Sequence, residues 1–440
     1  MEIRVDARST AAARILAIGD VHLGRRPSRL PVEALAEHGL SPRDLGPAAA
    51  LAGAVRWAIA ERVHAVVLLG DVVEDEHHFL EAYPALRDAA KALVDAQIEL
   101  FAVVGNHDTE VLPRLAAEVP GVHLLGKKGT WESALLRRDG APLARLLGWS
   151  FPAPKVRHSP LDNFPSAWRE GRFDDGAPTG LNTLGLLHCD VDASASVHAP
   201  VRRAALVELG IAFALGHVHK PGELTGPRPV GYLGSLSGLD PGEPGQHGPW
   251  LFEAHGGDWR ARQIALAPLR YDRVAVEVRG ARSKEELEER WQRAIDRHLD
   301  TLDGDPARAV ALRVELVGER TLDRAVLSDF VERERDRGPT IQGGRVWFAE
   351  TVRDTTQPPL QLAQWAQNDD PVGLLARRAL VLGAPGAERD ALLARARAHL
   401  SARLGAEHDV EAFGDDELAE ILLHEARRAL EELVQQGAAT

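Results

Sequence analysis

The sequence predicts a layered α/β fold, and three observations support that prediction. Short continuous apolar runs, typical of buried strands, recur through the first half of the chain, at 15–18, 66–69, 101–104, 184–187 and 211–215. Stretches of helical character lie between some of them, at 48–63 and 79–97. Side chains that can bind metal ions follow each run. Because open α/β sheets bind ligands at the carboxyl ends of their strands, we expect these side chains to converge along one edge of the layered sheet.

The first domain is predicted to end near Pro268. From residue 247 the pattern changes to short strands, at 250–253 and 260–266, which flank a turn at Gly256 and Gly257. A proline then interrupts the pattern. The sequence therefore predicts a first domain over residues 1–268.

A second, smaller α/β domain is predicted over residues 269–350. A strand at 273–278 alternates charged and apolar residues, and Ser283 then begins a helix with Glu286 in the capping-box position. A second strand, a second helix and a third strand are expected at 310–317, 321–335 and 345–348. The loops of such a domain are suited to cap the cleft of the first.

Residues 351–440 are predicted to form a helical C-terminal region. A break at Pro358 and Pro359 precedes helices near 371–382, 387–404 and 415–435. The last helix carries an apolar stripe at helical spacing, formed by Leu418, Ile421, Leu422, Ala426, Leu430 and Leu433. Such a stripe usually packs within its own protein, and the alternative is a segment on which a partner docks.

Length and composition indicate an ordinary globular protein. The chain has 440 residues, enough for two or three domains, with 45% hydrophobic and 27% charged residues. The charged start at 1–6, and the absence of an apolar run of membrane-helix length, favour a cytoplasmic protein with no membrane span. The single cysteine, Cys189, excludes an internal disulfide and a multi-thiolate zinc site. We interpret it as a core residue rather than a nucleophile.

The net charge of −13 argues against nucleic acid as a substrate, since phosphate backbones favour basic surfaces. Metal cations bound in a cleft would add positive charge there. Local basic clusters also occur, at Arg25, Arg26 and Arg29, at Lys127 and Lys128, at Lys155, Arg157 and His158, and at Arg202 and Arg203. Basic pairs alone are as compatible with a solvated surface as with DNA contacts.

The side chains that follow the apolar runs form a set of metal-ligand motifs. They are Asp20-Val21-His22, Gly70-Asp71, Gly105-Asn106-His107-Asp108, His188 and Gly216-His217-Val218-His219. Carboxylate, imidazole and amide oxygen are the ligands with which a pair of divalent cations holds a phosphate and activates water. Asp71 is the candidate bridge between the two ions. The ordered set predicts a two-metal site for phosphate-ester hydrolysis.

The most specific of these motifs also supplies candidate catalytic groups. His107 stands beside the predicted metals as an acid or charge stabiliser, and Asp108 can orient its ring. His77 and His78 are possible extra ligands, but their acidic neighbours favour an exposed helix start.

In these motifs the sequence resembles the calcineurin-like metallophosphoesterases, over about residues 14–219. Within that superfamily, the opening Asp20-Val21-His22-Leu23-Gly24 resembles that of the SbcD and meiotic-recombination-eleven nucleases. The segment 231–236, followed by Glu243, Gly245 and Gly248, is similar to the one that closes their nuclease domain. The resemblance implies a metallophosphoesterase β-sandwich flanked by helices, followed by the small α/β capping domain and the helical C-terminal region.

The resemblance also implies the ligand sets. Asp20, His22, Asp71 and His219 would bind one metal, and Asp71, Asn106, His188 and His217 would bind the other. Two divalent ions, most often Mn²⁺ in this family, would be the cofactors. A metal-bound hydroxide would attack phosphorus in line, His107 would assist the leaving oxygen, and Asp108 would hold the His107 ring.

The function implied is that of a metal-dependent DNA exonuclease and endonuclease in DNA repair and recombination. It would act on double-stranded ends or hairpins with an ABC-type coiled-coil ATPase, the SbcC-like subunit, and a homodimer is possible. An alternative is a phosphatase or phosphodiesterase acting on a phosphoprotein or a small nucleotide, because the same centre serves all of these. A second alternative is a catalytically silent scaffold that tethers DNA ends, which the complete ligand set disfavours.

Overall fold

The computed structural model describes residues 13–193, 195–357, 361–404 and 414–437. They divide into two compact units. The first runs to Glu277 and includes Arg282–Val317 and Leu322–Thr355; the second comprises Val278–Ala281, Gly318–Thr321 and the described residues from Thr356 onward. The predicted charged start at 1–6 and the break at Pro358 and Pro359 lie outside the described residues. The predicted domain boundaries at 268 and 350 remain predictions.

Two sheets form the core of the first unit. The first has six strands in the order β11-β10-β1-β2-β3-β4, where β1 is Arg14–Ile18, β2 Ala65–Leu69, β3 Glu99–Val103, β4 Val122–Leu124, β10 Trp250–His255 and β11 Asp258–Gln263. The second has five in the order β5-β6-β7-β8-β9, where β5 is Trp131–Arg138, β6 Ala141–Trp149, β7 Thr183–His188, β8 Ala212–Gly216 and β9 Val230–Tyr232. Strands β1 to β4 are parallel to one another, as are β6 to β9.

The helices of this region are α1 (Val32–Glu37), α2 (Pro42–Leu45), α3 (Pro47–Ala60), α4 (Phe79–Asp95), α5 (Val111–Glu118), α6 (Ser166–Arg169) and α7 (Arg203–Glu208). Leu35 of α1 and Leu45 of α2 pack with Leu269 and Tyr271, later in the chain, whereas the longer helices flank the two sheets. One apolar cluster joins the two sheets through residues such as Val67, Leu146 and Leu186. Another packs Leu51 of α3 and Leu86 of α4 against the opposite face of the first sheet. The predicted layered α/β sandwich with flanking helices is confirmed.

The five predicted strands of this region are present, but they belong to two different sheets. β1, β2 and β3 lie in the first sheet, and β7 and β8 lie in the second. The expectation that the metal-binding side chains lie along the edge of a single sheet is therefore wrong. The carboxyl ends of both parallel sets nevertheless lie together, because the two sheets face each other across the shared apolar cluster.

A third sheet follows, in the order β12-β13-β15-β14, with β12 at Leu269–Glu277, β13 at Ala309–Val317, β14 at Thr340–Gln342 and β15 at Arg345–Asp354. Its helices are α8 (Lys284–Asp300) and α9 (Arg324–Arg335). The Ser283 hydroxyl caps α8 by accepting from the Glu286 N–H at 3.3 Å. The Glu286 carboxylate accepts from the Arg282 N–H at 2.8 Å, one residue further back than a capping box requires. The strand and helix order predicted for this region is present.

The described residues of the second unit form four helices. They are α10 (Leu362–Trp365), α11 (Pro371–Leu382), α12 (Ala387–Leu404) and α13 (Asp415–Gly437). Of the apolar stripe on α13, Leu418 and Leu430 are buried, whereas Ile421 is 44% exposed. The helical region is thus as predicted, and its stripe packs largely within the protein. Among the described residues, no helix has both the length and the apolar character needed to cross a membrane.

Candidate metal centre

The predicted ligands follow the carboxyl ends of strands from both sheets. Asp20 follows β1, Asp71 follows β2, Asn106 follows β3, and His217 follows β8. His188 is the last residue of β7. The positions of the predicted ligands therefore converge in the structure, as expected from the sequence.

The backbone at this centre is held in an unusual conformation. His22, Asp71 and His217 have positive φ angles of 54°, 46° and 100°, a region that residues other than glycine rarely adopt. Such conformations persist only where the surrounding structure imposes them, and they concentrate at functional sites. The neighbouring glycine is equally constrained, because a Cβ atom on Gly105 would lie 2.1 Å from Asp71 Oδ1.

One cluster consists of Asp20, His22 and His219, with one potential ligand atom of each within 4.8 Å of the others. The Nε2 atoms of His22 and His219 lie 3.0 Å apart. Asp20 is fully buried and accepts from the backbone N–H of His217 at 2.9 Å. Burial raises the pKa of the Asp20 carboxyl, and nearby His188 opposes that rise.

The second cluster consists of Asp71, His188 and His217, again with ligand atoms within 4.8 Å. His188 Nε2 lies 3.3 Å from Asp71 Oδ2 and 3.0 Å from Asn106 Oδ1, which brings the amide into the same cluster. Burial alone would lower the pKa of His188, but the Asp71 carboxylate raises it to about 9. Burial alone would raise the pKa of the Asp71 carboxyl, but the His188 ring lowers that pKa well below its usual range. The positions predicted for two metals thus separate into two neighbouring clusters.

Each histidine in the two clusters has an outer partner on its second ring nitrogen. His22 Nδ1 lies 2.8 Å from Glu74 Oε2, and His219 Nδ1 lies 2.7 Å from Glu243 Oε1. His188 Nδ1 donates to the backbone carbonyl of Leu69 at 2.9 Å, and His217 Nε2 lies 3.2 Å from Asp190 Oδ1. Metal-bound histidines characteristically donate their other N–H to such carboxylate or carbonyl oxygens, which fixes the tautomer and the ring orientation.

These contacts test whether the first cluster suits a cation. His219 Nδ1 forms a hydrogen bond with Glu243, and His22 Nδ1 lies 2.8 Å from Glu74 Oε2 without hydrogen-bond geometry, while the Nε2 atoms of the two rings lie 3.0 Å apart. That arrangement is repulsive unless a proton or a cation lies between the two nitrogens. The Asp20 carboxylate beside them adds an oxygen ligand. The donor set of nitrogen and carboxylate oxygen therefore fits a first-row divalent metal.

Sequence reasoning missed the outer carboxylates. In the sequence, Glu74 is one of the acidic residues before a helix start, Glu243 follows the segment 231–236, and Asp190 belongs to none of the motifs. The hydrogen bonds of His219 to Glu243 and of Ser235 to the same carboxylate show that Glu243 is held in place. Asp190 also accepts a hydrogen bond from the Ser196 hydroxyl and lies near His198. No local sequence signal pairs these residues with their histidines.

His107 lies at the edge of the first cluster. Its ring centroid is 5.3 Å from that of His22, and its Nδ1 donates to the backbone carbonyl of Glu74 at 2.9 Å. The Nε2 atom is then free to contact a substrate. The His107 backbone N–H donates to Asp71 Oδ1 at 2.9 Å, which couples its position to the predicted bridging carboxylate.

The prediction that Asp108 orients the His107 ring is wrong. Asp108 is fully buried, and its carboxylate accepts from the backbone N–H groups of Val72 and Gly105 at 2.7 and 2.8 Å. The carbonyl of Glu74 occupies the orienting position on His107 instead. Burial, reinforced by the Asp71 charge, raises the pKa of Asp108 to about 7. Asp108 therefore joins the two loops that carry Asp71 and Asn106.

Replacing Asp108 with asparagine is expected to lower the free energy of unfolding by roughly 1–3 kcal/mol, because an amide NH₂ would face backbone donors in a buried site. Chemical denaturation would measure this change. If Asp108 instead acted through the His107 ring, the variant would lose turnover with unchanged stability, which would contradict the assignment.

The other singled-out residues, His77, His78 and Cys189, belong to neither cluster. His77 is 82% exposed in its side chain and belongs to a short 3₁₀ helix at Glu76–His78, which agrees with an exposed helix start. His78 Nδ1 lies 2.8 Å from Asp75. Cys189 is buried, and burial raises the pKa of its thiol, as expected of a core residue.

A cavity of about 360 Å³ opens beside His107 and Asn106. Its other lining residues are Asp75, Glu76, His77, Thr109, Glu110 and Pro154. Three carboxylates thus line this side of the centre. On the next loop, Lys155 and Arg157 are exposed and flank Val156, which pairs with His198. The centre therefore has acidic and basic residues on neighbouring segments.

Comparison with known proteins shows similarity to metallophosphoesterases. Residues 13–221 match the model of the calcineurin-like phosphoesterase family. The chain is 27% identical over 275 residues to the DNA double-strand break repair protein Mre11 of Aeropyrum pernix, covering 60% of this chain and 64% of that one. It is 26% identical over 231 residues to an uncharacterized metallophosphoesterase, YhaO, of Bacillus subtilis, covering 51% and 54%. The matches thus span between half and two thirds of these relatives.

Among solved structures, a dimetal phosphatase from Danio rerio aligns with a TM-score of 0.34 and 16% identity. The alignment covers 57% of this chain and 96% of that one.

Proposed function

We propose that this chain, which belongs to the calcineurin-like metallophosphoesterases and is therefore a metal-dependent phosphoester hydrolase, is a DNA exonuclease and endonuclease of the SbcD and Mre11 type. The observation that carries the proposal is the similarity to the Aeropyrum repair protein. At 275 residues, that alignment is longer than the family segment 13–221, so the likeness extends beyond the domain that all metallophosphoesterases share.

In the proposed hydrolysis of a phosphodiester, the residues of the two clusters bind the metal ions and His107 acts on the leaving oxygen. When bound, two divalent ions, which we propose to be manganese, activate the attacking water and neutralise charge on the phosphate oxygens. Asp20, His22 and His219 would hold one ion and Asn106, His188 and His217 would hold the other, with Asp71 as a ligand of both. His107 presents its Nε2 atom to the leaving oxygen, while the Glu74 carbonyl fixes its ring through Nδ1.

The surroundings of the centre also bear on the substrate. Lys155 and Arg157 lie on the loop that hydrogen-bonds to residues 197 and 199, and the His198 ring on that second segment is 4.9 Å from the His217 ring. Pro154 of the same loop lines the cavity beside His107. This placement favours a DNA strand that enters along the 154–158 loop, with its phosphates on the two cations of the loop.

Reversing the charge of this loop tests the substrate class. The double variant Lys155→Glu/Arg157→Glu is expected to raise the KM for DNA by roughly tenfold, because each lost phosphate contact weakens binding and reduces its salt dependence. Hydrolysis of bis-(p-nitrophenyl) phosphate should be unchanged. Lys284→Glu/Arg293→Glu, on exposed positions of α8, is the matched control. If both double variants raise the KM for DNA equally, the 154–158 loop no longer supports DNA as the substrate.

Partners follow from the same similarity. We propose that an ABC-type coiled-coil ATPase assembles with this chain and that DNA ends or hairpins are its substrates, in repair and recombination. Such a partner would add basic surface to a chain whose net charge is −13. Homodimer formation belongs to the same proposal.

A phosphodiesterase or phosphatase acting on a small substrate is the second candidate. The carboxylates of Asp75, Glu76 and Glu110 around the cavity beside His107 favour it, because they repel a substrate with many phosphates. A small diester places one phosphate on the metals and no second phosphate near these groups. Hydrolysis of nucleotide diesters with DNA left intact would favour this candidate.

A further inference from the structure

The two metal clusters differ in the charge of their outer partners. In the cluster of Asp20, His22 and His219, both histidines are backed by carboxylates, Glu74 at 2.8 Å and Glu243 at 2.7 Å. In the cluster of Asp71, His188 and His217, one histidine is backed by the neutral carbonyl of Leu69. The other faces Asp190 at the longer distance of 3.2 Å.

Among the outer carboxylates, Glu243 is the best shielded from solvent. The Glu243 side chain is 12% exposed and that of Glu74 24%, close to Asp190 at 23%. Glu243 is further fixed by hydrogen bonds from the Ser235 hydroxyl at 3.1 Å and the Leu239 N–H at 3.0 Å. On this side of the centre, Arg25 is paired with Asp240 at 3.3 Å. A carboxylate held in this way strengthens a histidine ligand by polarising its ring N–H.

We infer that Glu74 and Glu243 are positioning residues that make the Asp20, His22 and His219 cluster the tighter of the two cation sites. That site fills first, and the Asp71, His188 and His217 cluster binds the more readily exchanged ion. Excluding Asp71, which the proposed function shares between the two ions, the first cluster has three carboxylates in its ligands and outer partners, and the second has one. The extra negative charge attracts a divalent cation in a site with little solvent. The second ion then controls whether the centre is complete.

The inference rests on the two-metal centre of the proposed function, but its test requires no DNA. Metal-free protein is titrated with Mn²⁺ and followed by calorimetry and by the electron paramagnetic resonance signal of free Mn²⁺. The parent protein should show two classes of site. Glu243→Gln should weaken the tighter class by about 10- to 100-fold, the usual effect of losing an outer partner. Asp190→Asn, the matched change at the other cluster, should weaken only the weaker class.

Two results would overturn the inference. One is a single class of two equal sites in the parent, and the other is a Glu243→Gln variant whose tighter class is unchanged. If Glu243→Gln fails to fold, as judged by circular dichroism, Glu74→Gln takes its place. Crystals soaked with less than one equivalent of Mn²⁺ give an independent readout, because anomalous scattering should appear between His22 and His219. Scattering at His188 and His217 instead would contradict the proposed order, whatever substrate the enzyme cleaves.

Discussion

Replacing Asp71 with asparagine is expected to abolish metal-dependent hydrolysis of every phosphodiester that the protein cleaves. Asp71 belongs to the second cluster, with Oδ2 3.3 Å from His188 Nε2; its Oδ1 accepts from the His107 backbone N–H at 2.9 Å, and its backbone carbonyl accepts from the N–H of His22 in the first cluster at 2.9 Å. The variant loses the charge that holds two like-charged ions together and disturbs the residue predicted to act on the leaving oxygen. Loss of several kcal/mol of transition-state stabilisation corresponds to a fall in kcat/KM on the order of 10³- to 10⁴-fold.

The Asp71 prediction is checked by kcat/KM for bis-(p-nitrophenyl) phosphate and by Mn²⁺ stoichiometry, which should fall below two. Asp88→Asn, at an exposed site on α4 where the carboxylate pairs with Arg87, is the matched control and should retain full activity. An Asp71→Asn variant with more than a tenth of parental activity would show that Asp71 does not bridge two catalytic ions.

Replacing His107 with glutamine is expected to reduce kcat for DNA by about 10²- to 10⁴-fold, the usual range for loss of a general acid. Mn²⁺ binding should persist, because His107 is outside both clusters of potential ligand atoms. The loss should be much smaller for bis-(p-nitrophenyl) phosphate, since p-nitrophenolate departs without a proton whereas a nucleoside alkoxide needs one. A larger loss on DNA than on the small diester would identify His107 as the group that protonates the leaving oxygen.

Single-turnover cleavage of DNA and steady-state hydrolysis of the small diester would measure that difference. His77→Gln, an exposed histidine of the neighbouring 3₁₀ helix, serves as the control and should leave both rates unchanged. Equal losses on the two substrates would argue that His107 stabilises charge or structure and donates no proton.

Elements with a continuous apolar pattern could be predicted from the sequence. β1, β2, β7 and β8 are such runs, and α11 and α12 have the predicted bounds. β4 has only three residues, and β5 is partly exposed along most of its length, so neither has a strong local pattern. The division of the parallel strands between two sheets depends on pairing between distant segments, such as β1 with β10, which no local pattern encodes.

In the candidate site, the ligand motifs could be predicted from local sequence, whereas the outer partners of the histidines could not. The predicted ligands have short-range signatures, because each motif follows a strand directly, and the structure brings them together. Their roles as ligands remain predictions. Glu243 is 24 residues from His219, and Asp190 is 27 from His217, so those pairings could not be read from spacing. Adjacency to His107 predicts that Asp108 orients the His107 ring, whereas the fold turns the Asp108 carboxylate toward buried backbone donors.

The most direct test of the nuclease assignment is degradation of linear double-stranded DNA in Mn²⁺ by the purified parent chain and by its Asp71→Asn variant. Bis-(p-nitrophenyl) phosphate is the parallel substrate for both proteins. We predict that the parent cleaves DNA and the small diester and that the variant cleaves neither. Hydrolysis of the small diester by the parent with DNA left intact, even after addition of the ATPase partner, would contradict the nuclease assignment while leaving the two-metal centre in place.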